Sequence, residues 1–138
     1  ILLDGDDVRS TISADLSFTM ESRDENIRRI AQLAKLLSKQ NIITIVSVIS
    51  PMETQRHLAH EVLEDSFHLI YLKASLKRCA KNDVKGLYKE ASKKNITNFT
   101  GMTSPYEEPK NANLTIDTDK NNADLTAKLL KQYIDKII

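Results

Sequence analysis

Short apolar runs alternate with amphipathic stretches along the chain, the pattern of βα units feeding a parallel sheet. Residues 1–4 read as a short strand whose polar end carries Asp4 and Asp6 into a turn, with a helix beginning near Asp7 and an irregular connection over 10–18. Over 23–40, Ile27, Ile30, Ala31, Leu33, Ala34 and Leu37 recur at helical spacing, while Arg23, Asp24, Arg28, Arg29, Lys35 and Lys39 occupy the other faces. Residues 42–49 are almost continuously apolar and β-branched, the composition of a strand covered on both faces. Pro51 stops that strand and suits a first helical turn, so the next helix is predicted over 52–63. There follow a buried strand over 67–74, a helical pattern over 76–94 broken by Gly86, and a polar loop over 96–109. A short strand at 114–117 and an amphipathic helix over 122–138 close the chain.

This order predicts an α/β fold of three layers, a mostly parallel sheet with helices on both faces. At 138 residues the chain is long enough for one domain with a real core and too short for two, so 1–138 is read as a single domain. Ligands of such folds collect beyond the carboxyl ends of the strands, where Asp4, Ser50 and Ala74 lie. A net charge of +1 provides no global field toward nucleic acid or an anionic membrane, so neither is an expected partner and anion binding must be local. The one cysteine, Cys79, has neither disulfide partner nor metal spacing and fits a reducing compartment, with cytoplasm the expectation. No apolar stretch is long enough to span a bilayer. A start at Ile1, without Met and inside a strand-like run, reads as the interior of a longer polypeptide. His57 and His60 share a helix face but find no third ligand in the sequence pattern, so no histidine metal site is expected.

Four segments can carry chemistry. Asp4-Gly5-Asp6 places two carboxylates where a strand meets a turn, suited to holding a divalent ion or to accepting a hydroxyl proton, the alternative being that Asp6 or Asp7 merely caps a helix. Arg23 and Asn26, three apart, share a helix face near Phe18 and Arg29; a guanidinium fork can grip an oxyanion there, although an ordinary solvated helix face has the same composition. Ile49-Ser50-Pro51 is a strand exit. Lys85 and Lys89 flank Gly86, whose cost of about 1 kcal/mol within a helix suggests a bend or a lid.

Taken together these segments resemble the adenylylsulfate (APS) kinase family, over residues 1–118 and in ordered motifs. Leu3-Asp4-Gly5-Asp6-Asp7-Val8-Arg9 is similar to the family's L-D-G-D-N-x-R, with Asp7 in place of Asn; Phe18 to Arg29 is similar to F-S-x-x-D-R-x-x-N-I-R-R. Val48-Ile49-Ser50-Pro51 matches F-I-S-P except at Val48, Asp83 to Lys89 reads D-V-K-G-L-Y-K, and Asn98 to Glu107 is similar to N-F-T-G-I-x-S-P-Y-E. The resemblance implies a P-loop kinase-like fold and ATP-dependent phosphorylation of the 3′-hydroxyl of APS, giving 3′-phosphoadenylyl sulfate, with Mg²⁺ accompanying ATP. It also implies a homodimer.

By resemblance Asp6 is the base, Asp4, Arg9, Phe18, Arg23, Asn26, Ile49, Ser50, Lys85, Gly86, Leu87 and Phe99 contact APS, and Asp4 and Asp6 are the candidate metal ligands. Phe18 and Phe99 would be two aromatic plates for adenine. Ser50 takes the family label of phosphoserine intermediate, but no His, Lys or Asp neighbours it in sequence as an activating base and in-line transfer needs no covalent relay. Binding of the bridging phosphate or sulfate is the role adopted for it. Lys85 would close on phosphate oxygens as a catalytic cation. Asn82 stands where the family usually has Arg, so the chain either lacks one stabiliser of transferred charge or substitutes Arg78 or Lys81. No G-x-x-x-x-G-K-[ST] phosphate loop occurs in the chain, and its first strand is likewise expected to be missing, so this stretch alone is expected to be inactive. The competing readings are a paralogous kinase for another nucleotide-linked acceptor and a non-catalytic nucleotide-binding or regulatory domain.

Overall fold

The structure is a computed structural model that describes residues 1–83, 86–93 and 99–138. It is α/β with parallel strands, divided into two compact units: Ile1–Phe67 with Pro105–Glu108, and His68–Ser104 with Pro109–Ile138.

In the first unit, β1 (Leu2–Asp4) runs straight into α1 (Gly5–Ser10), and a connection leads to α2 (Met20–Ser38), β2 (Ile45–Ser47), α3 (Glu53–Leu63) and a 3-10 turn (Glu64–Ser66). β1 and β2 pair in parallel, Leu2 opposite Ile45 and Asp4 opposite Ser47. The core is the predicted stripe of α2, with Ile27, Ile30, Ala31 and Ala34 buried alongside Val8 of α1; Leu33 and Leu37 are half-buried. α2 and α3 pack against one another along that stripe.

The strand expected over 42–49 is shorter and more open. α2 ends with Asn41 in left-handed backbone (φ 58°) and Ile42 N–H reaching back to the Leu37 carbonyl (3.1 Å), so the first residues of the apolar run belong to the helix cap. Ser50, at φ 37°, ends the extended segment at its other side. Ile45 and Val46 are 44% and 36% exposed, not covered on both faces, and β2 pairs with β1 alone among the described residues.

In the second unit, β3 (Ile70–Lys73) pairs in parallel with β4 (Leu114–Asp117), Ile70 opposite Leu114. α4 (Leu76–Lys81) and α5 (Leu87–Ser92) are the two halves of the helical pattern that Gly86 was expected to break. Gly86 does so at φ 70°, with open space where a Cβ would stand, so its conformation and not crowding selects glycine there. Asn82 closes α4, its N–H bonded to the Arg78 and Cys79 carbonyls. Asp119 ties Ser75 twice, to its N–H and its hydroxyl, both at 3.0 Å. α6 (Ala123–Ile137) packs on β4, and His68 Nδ1 lies 2.7 Å from the Tyr133 hydroxyl. Among the described residues no helix is long and apolar enough to cross a membrane.

Candidate functional site

The first candidate residues sit where β1 becomes α1. Asp4 is the N-cap: its Oδ1 accepts the Asp6 N–H at 2.9 Å, and Asp6 and Asp7 occupy the first helical turn, where acidic side chains complement the unpaired N–H groups. The cap expected of Asp6 or Asp7 is thus supplied by Asp4. Gly5 is needed for close approach: a Cβ would meet the Ser47 carbonyl oxygen and Val48 Cγ1, each at 3.2 Å. Glycine at this position thus brings the start of α1 against the end of β2, three residues before Ser50.

Arg9, one turn on, leaves α1 toward the connection. Its Nη1 donates to the Ser17 carbonyl (2.7 Å), and its guanidinium carbon lies 4.6 Å from the centre of the Phe18 ring, which is 62% exposed. Thr19 caps α2 by accepting the Ser22 N–H, and Arg23 in the first turn sends Nε back to the Phe18 carbonyl at 3.1 Å. Both guanidiniums thus donate to main-chain carbonyls of the connection, which orient them. Burial lowers the pKa of Arg9 and proximity to Arg23 lowers it further; burial lowers that of Arg23 as well. Arg9 thus lies over the exposed Phe18 ring while Arg23 bonds the main chain of the same residue.

Asn26 stands one turn beyond Arg23. Its side chain is buried and its Oδ1 has no hydrogen-bond partner among the described residues, at a cost of about 1–3 kcal/mol for a buried acceptor left unmade. A ligand N–H or O–H would satisfy it. Arg29, grouped with these residues in the sequence, does a different job. It grips Asp15 through two bonds (2.6 and 2.9 Å), donates to the Ile12 carbonyl and joins Glu25 at 2.8 Å, so it straps the connection to α2. Hydrogen bonds from Arg28 and Arg29 hold the Glu25 carboxyl down to about 2.

Ser50 lies at the β2 exit, preceded by Ile49, which is 63% exposed. Sequence reasoning missed the residues that hold this turn. Arg56 of α3 is 3% exposed and donates to the Ser50 carbonyl (2.7 Å), the Glu107 carbonyl (2.8 Å) and Glu53 Oε2 (2.6 Å). Glu107 in turn accepts the Glu53 N–H at 2.6 Å and gives its own N–H to the Pro51 carbonyl at 2.8 Å. Gln55, 2% exposed, donates to Asp24 at 2.7 Å and accepts the Met52 N–H at 3.3 Å. The available signal was weak: Glu53 and Arg56 are an i,i+3 pair that reads as ordinary surface helix.

The remaining candidates lie in the second unit. Gly86 caps α5, Leu87 opens it at 43% exposure, and Phe99 meets the Tyr88 ring edge-on with centroids 4.8 Å apart. Burial, with a bond to Cys79 and the nearby Asp83, pushes the Tyr88 phenol up to about 12. Leu76, Ala80, Asp83, Tyr88, Lys89 and Met102 line a cavity of about 300 Å³. Lys85 and Asn98 lie outside the described residues. No group of three or more His, Cys, Asp or Glu side chains able to hold a metal occurs among the described residues.

Comparison with known proteins places this geometry. The adenylylsulphate kinase family profile matches residues 1–117. An adenylyl-sulfate kinase of Bacillus licheniformis is 45% identical over 134 residues, spanning 96% of this chain and 68% of that protein. A probable adenylyl-sulfate kinase of Halalkalibacterium halodurans is 43% identical over 96% of this chain, which spans 64% of that relative's length. Among solved structures, the Mycobacterium tuberculosis APS kinase CysC in complex with AMPPNP and APS superposes with a TM-score of 0.87 at 37% identity, covering 94% of this chain and 77% of that one.

Proposed function

The chain belongs to the adenylylsulfate kinase family, and on that premise we propose that it transfers the terminal phosphoryl group of ATP to the 3′-hydroxyl of adenylyl sulfate. The observation that carries this reading is the Arg9–Phe18–Arg23 cluster, with the Arg9 guanidinium over an exposed ring and Arg23 bonded to the main chain of that residue, followed one turn later by the buried Asn26 oxygen, which has no partner among the described residues. APS offers matching groups: an adenine face for Phe18, phosphosulfate oxygens for the guanidiniums, and ribose or base N–H and O–H donors for Asn26.

In the proposed reaction Asp6 accepts the proton of the 3′-hydroxyl while that oxygen attacks the γ-phosphorus; the bond from phosphorus to the bridging oxygen breaks and ADP leaves. The attack is in line, so Ser50 serves the substrate by binding and not as a covalent relay. Magnesium belongs in this proposal to the nucleotide substrate, which it accompanies. Lys85, Gly86, Leu87 and Phe99 are assigned to the substrates on the family resemblance. A homodimer is proposed on the same ground, and cytoplasmic location on the lone cysteine, Cys79.

The test is Asp6→Asn in the complete gene product. Turnover with ATP and APS should fall about 10²- to 10⁴-fold, the usual worth of a positioned base, while calorimetry shows APS affinity within about twofold of the parent. Unchanged kcat removes Asp6 from the mechanism; a parent protein that binds no APS removes the substrate assignment itself.

A further inference from the structure

Ser50 carries an uncommon backbone. At φ 37° it is a non-glycine residue in left-handed territory, and the proline that follows pushes its predecessor toward extended backbone, so the conformation is disfavoured twice. Such residues cost about 1–3 kcal/mol and persist only where the surroundings over-determine them. Here those surroundings are on the page. Arg56, almost wholly buried, spans from the Ser50 carbonyl to the Glu107 carbonyl and is oriented by Glu53. Glu107 closes the frame from its side through the Pro51 carbonyl and the Glu53 N–H. Pro51 is buried within it. Two hydrogen bonds thus land on the strained turn, at the Ser50 and Pro51 carbonyls, and two more tie α3 to Glu107, a residue more than fifty positions away in sequence.

We infer that Arg56 and Glu107 are positioning residues for the substrate site: together they hold the turn from β2 to α3 in the conformation that presents Ile49 and Ser50 to APS. This rests on the proposed assignment of Ile49 and Ser50 to APS. Arg56 suits the role because its planar fork reaches two carbonyls and a carboxylate at once, which a lysine ammonium on a single stem does not reproduce. Neither residue touches the reacting atoms. Their effect runs through the placement of Ser50, and a misplacement of about 1 Å near reacting groups is worth up to about a hundredfold in rate.

The experiment compares Arg56→Lys, Glu107→Ala and Glu107→Gln with the parent in the complete gene product, by steady-state kinetics in APS and in ATP, APS calorimetry and thermal melting. Arg56→Lys should raise the KM for APS about tenfold or more, leaving the KM for ATP within about twofold. Glu107→Ala should shift the same parameter in the same direction, and Glu107→Gln, which keeps an oxygen for the Glu53 N–H, should restore it. If the folded variants keep parental APS affinity and kcat, and only the melting temperature moves, the frame is merely structural and the inference is overturned. Should Arg56→Lys fail to fold, the two Glu107 variants decide: equal APS parameters for alanine and glutamine overturn it. A parent that binds no APS refutes the substrate reading, whereas a parent that binds it beside indifferent variants refutes only this role for Arg56 and Glu107.

Discussion

Replacing Phe18 by alanine separates the ring's part in binding from its part in folding, because the residue is 62% exposed and already hides little of its surface. Full burial of a Phe side chain is worth about 1.5–3 kcal/mol, so the hidden third or so contributes about 0.5–1 kcal/mol. Loss of the guanidinium stacked at 4.6 Å adds about 0.5–1 kcal/mol, the value for a solvent-exposed cation–π pair. The stability cost is therefore about 1–2 kcal/mol, a drop in Tm of about 3–10 °C for a domain of this size. Binding should respond differently. Stacking of a base on an aromatic side chain is worth about 1–3 kcal/mol, which makes the APS dissociation constant about 5- to 150-fold weaker.

Phe18→Tyr keeps the face and should bind APS within about threefold of the parent; Phe18→Leu keeps apolar bulk without the face and should fall with alanine. Calorimetry with APS on protein shown to be folded at the assay temperature reads these ratios directly. The reasoning fails if Phe18→Ala binds APS as tightly as the parent, or if leucine serves as well as tyrosine, because either result means that no base stacks on this ring.

Two further outcomes test the scaffold beneath the site. The Glu25 carboxyl is depressed in the folded protein from 4.5 to about 2 by bonds from Arg28 and Arg29, so its stabilisation is full above about pH 4.5 and is lost as pH falls toward 2. The melting temperature of the parent should decline across that window, and Glu25→Gln should flatten the decline; parallel curves for the two proteins would remove Glu25 from the acid limb. Gln55→Ala should cost about 1.5–3 kcal/mol in urea denaturation, since it deletes a charge-assisted bond to Asp24 and the acceptor for the Met52 N–H at the start of α3. A loss below about 0.5 kcal/mol would mean that water replaces both partners.

Legibility in the sequence followed how local the physics was. The strand at Leu114–Asp117 and the Gly86 break were readable because each depends on its own residues: a short apolar run between polar turns, and a glycine whose backbone the structure finds at φ 70°. The helix stripe of Ile27, Ile30, Ala31 and Ala34 was readable for the same reason. The run over 42–49 misled because apolar, β-branched composition reports burial and strand propensity but not which residues a helix cap will take, and Asn41 with Ile42 completes α2 instead. The Arg9–Phe18–Arg23 cluster was legible as a list of residues and not as a shape; what joins them is two main-chain carbonyls, which no side-chain pattern encodes.

Arg56 marks the limit of that kind of reading. In the sequence it is one of several charged residues on a helix, three places from Glu53, and every local rule assigns it to solvent. Its burial follows from partners supplied by Ser50 and Glu107, which come near it only after the chain has folded. A buried guanidinium is tolerated when its N–H groups are met and its charge is paired, and here two carbonyls and the Glu53 carboxylate do both. The residues that touch a substrate can thus be named from motifs. Those that hold the touching residues in an uncommon backbone show themselves through burial combined with long-range hydrogen bonds, and Ser50 is the place in this chain where the two kinds meet.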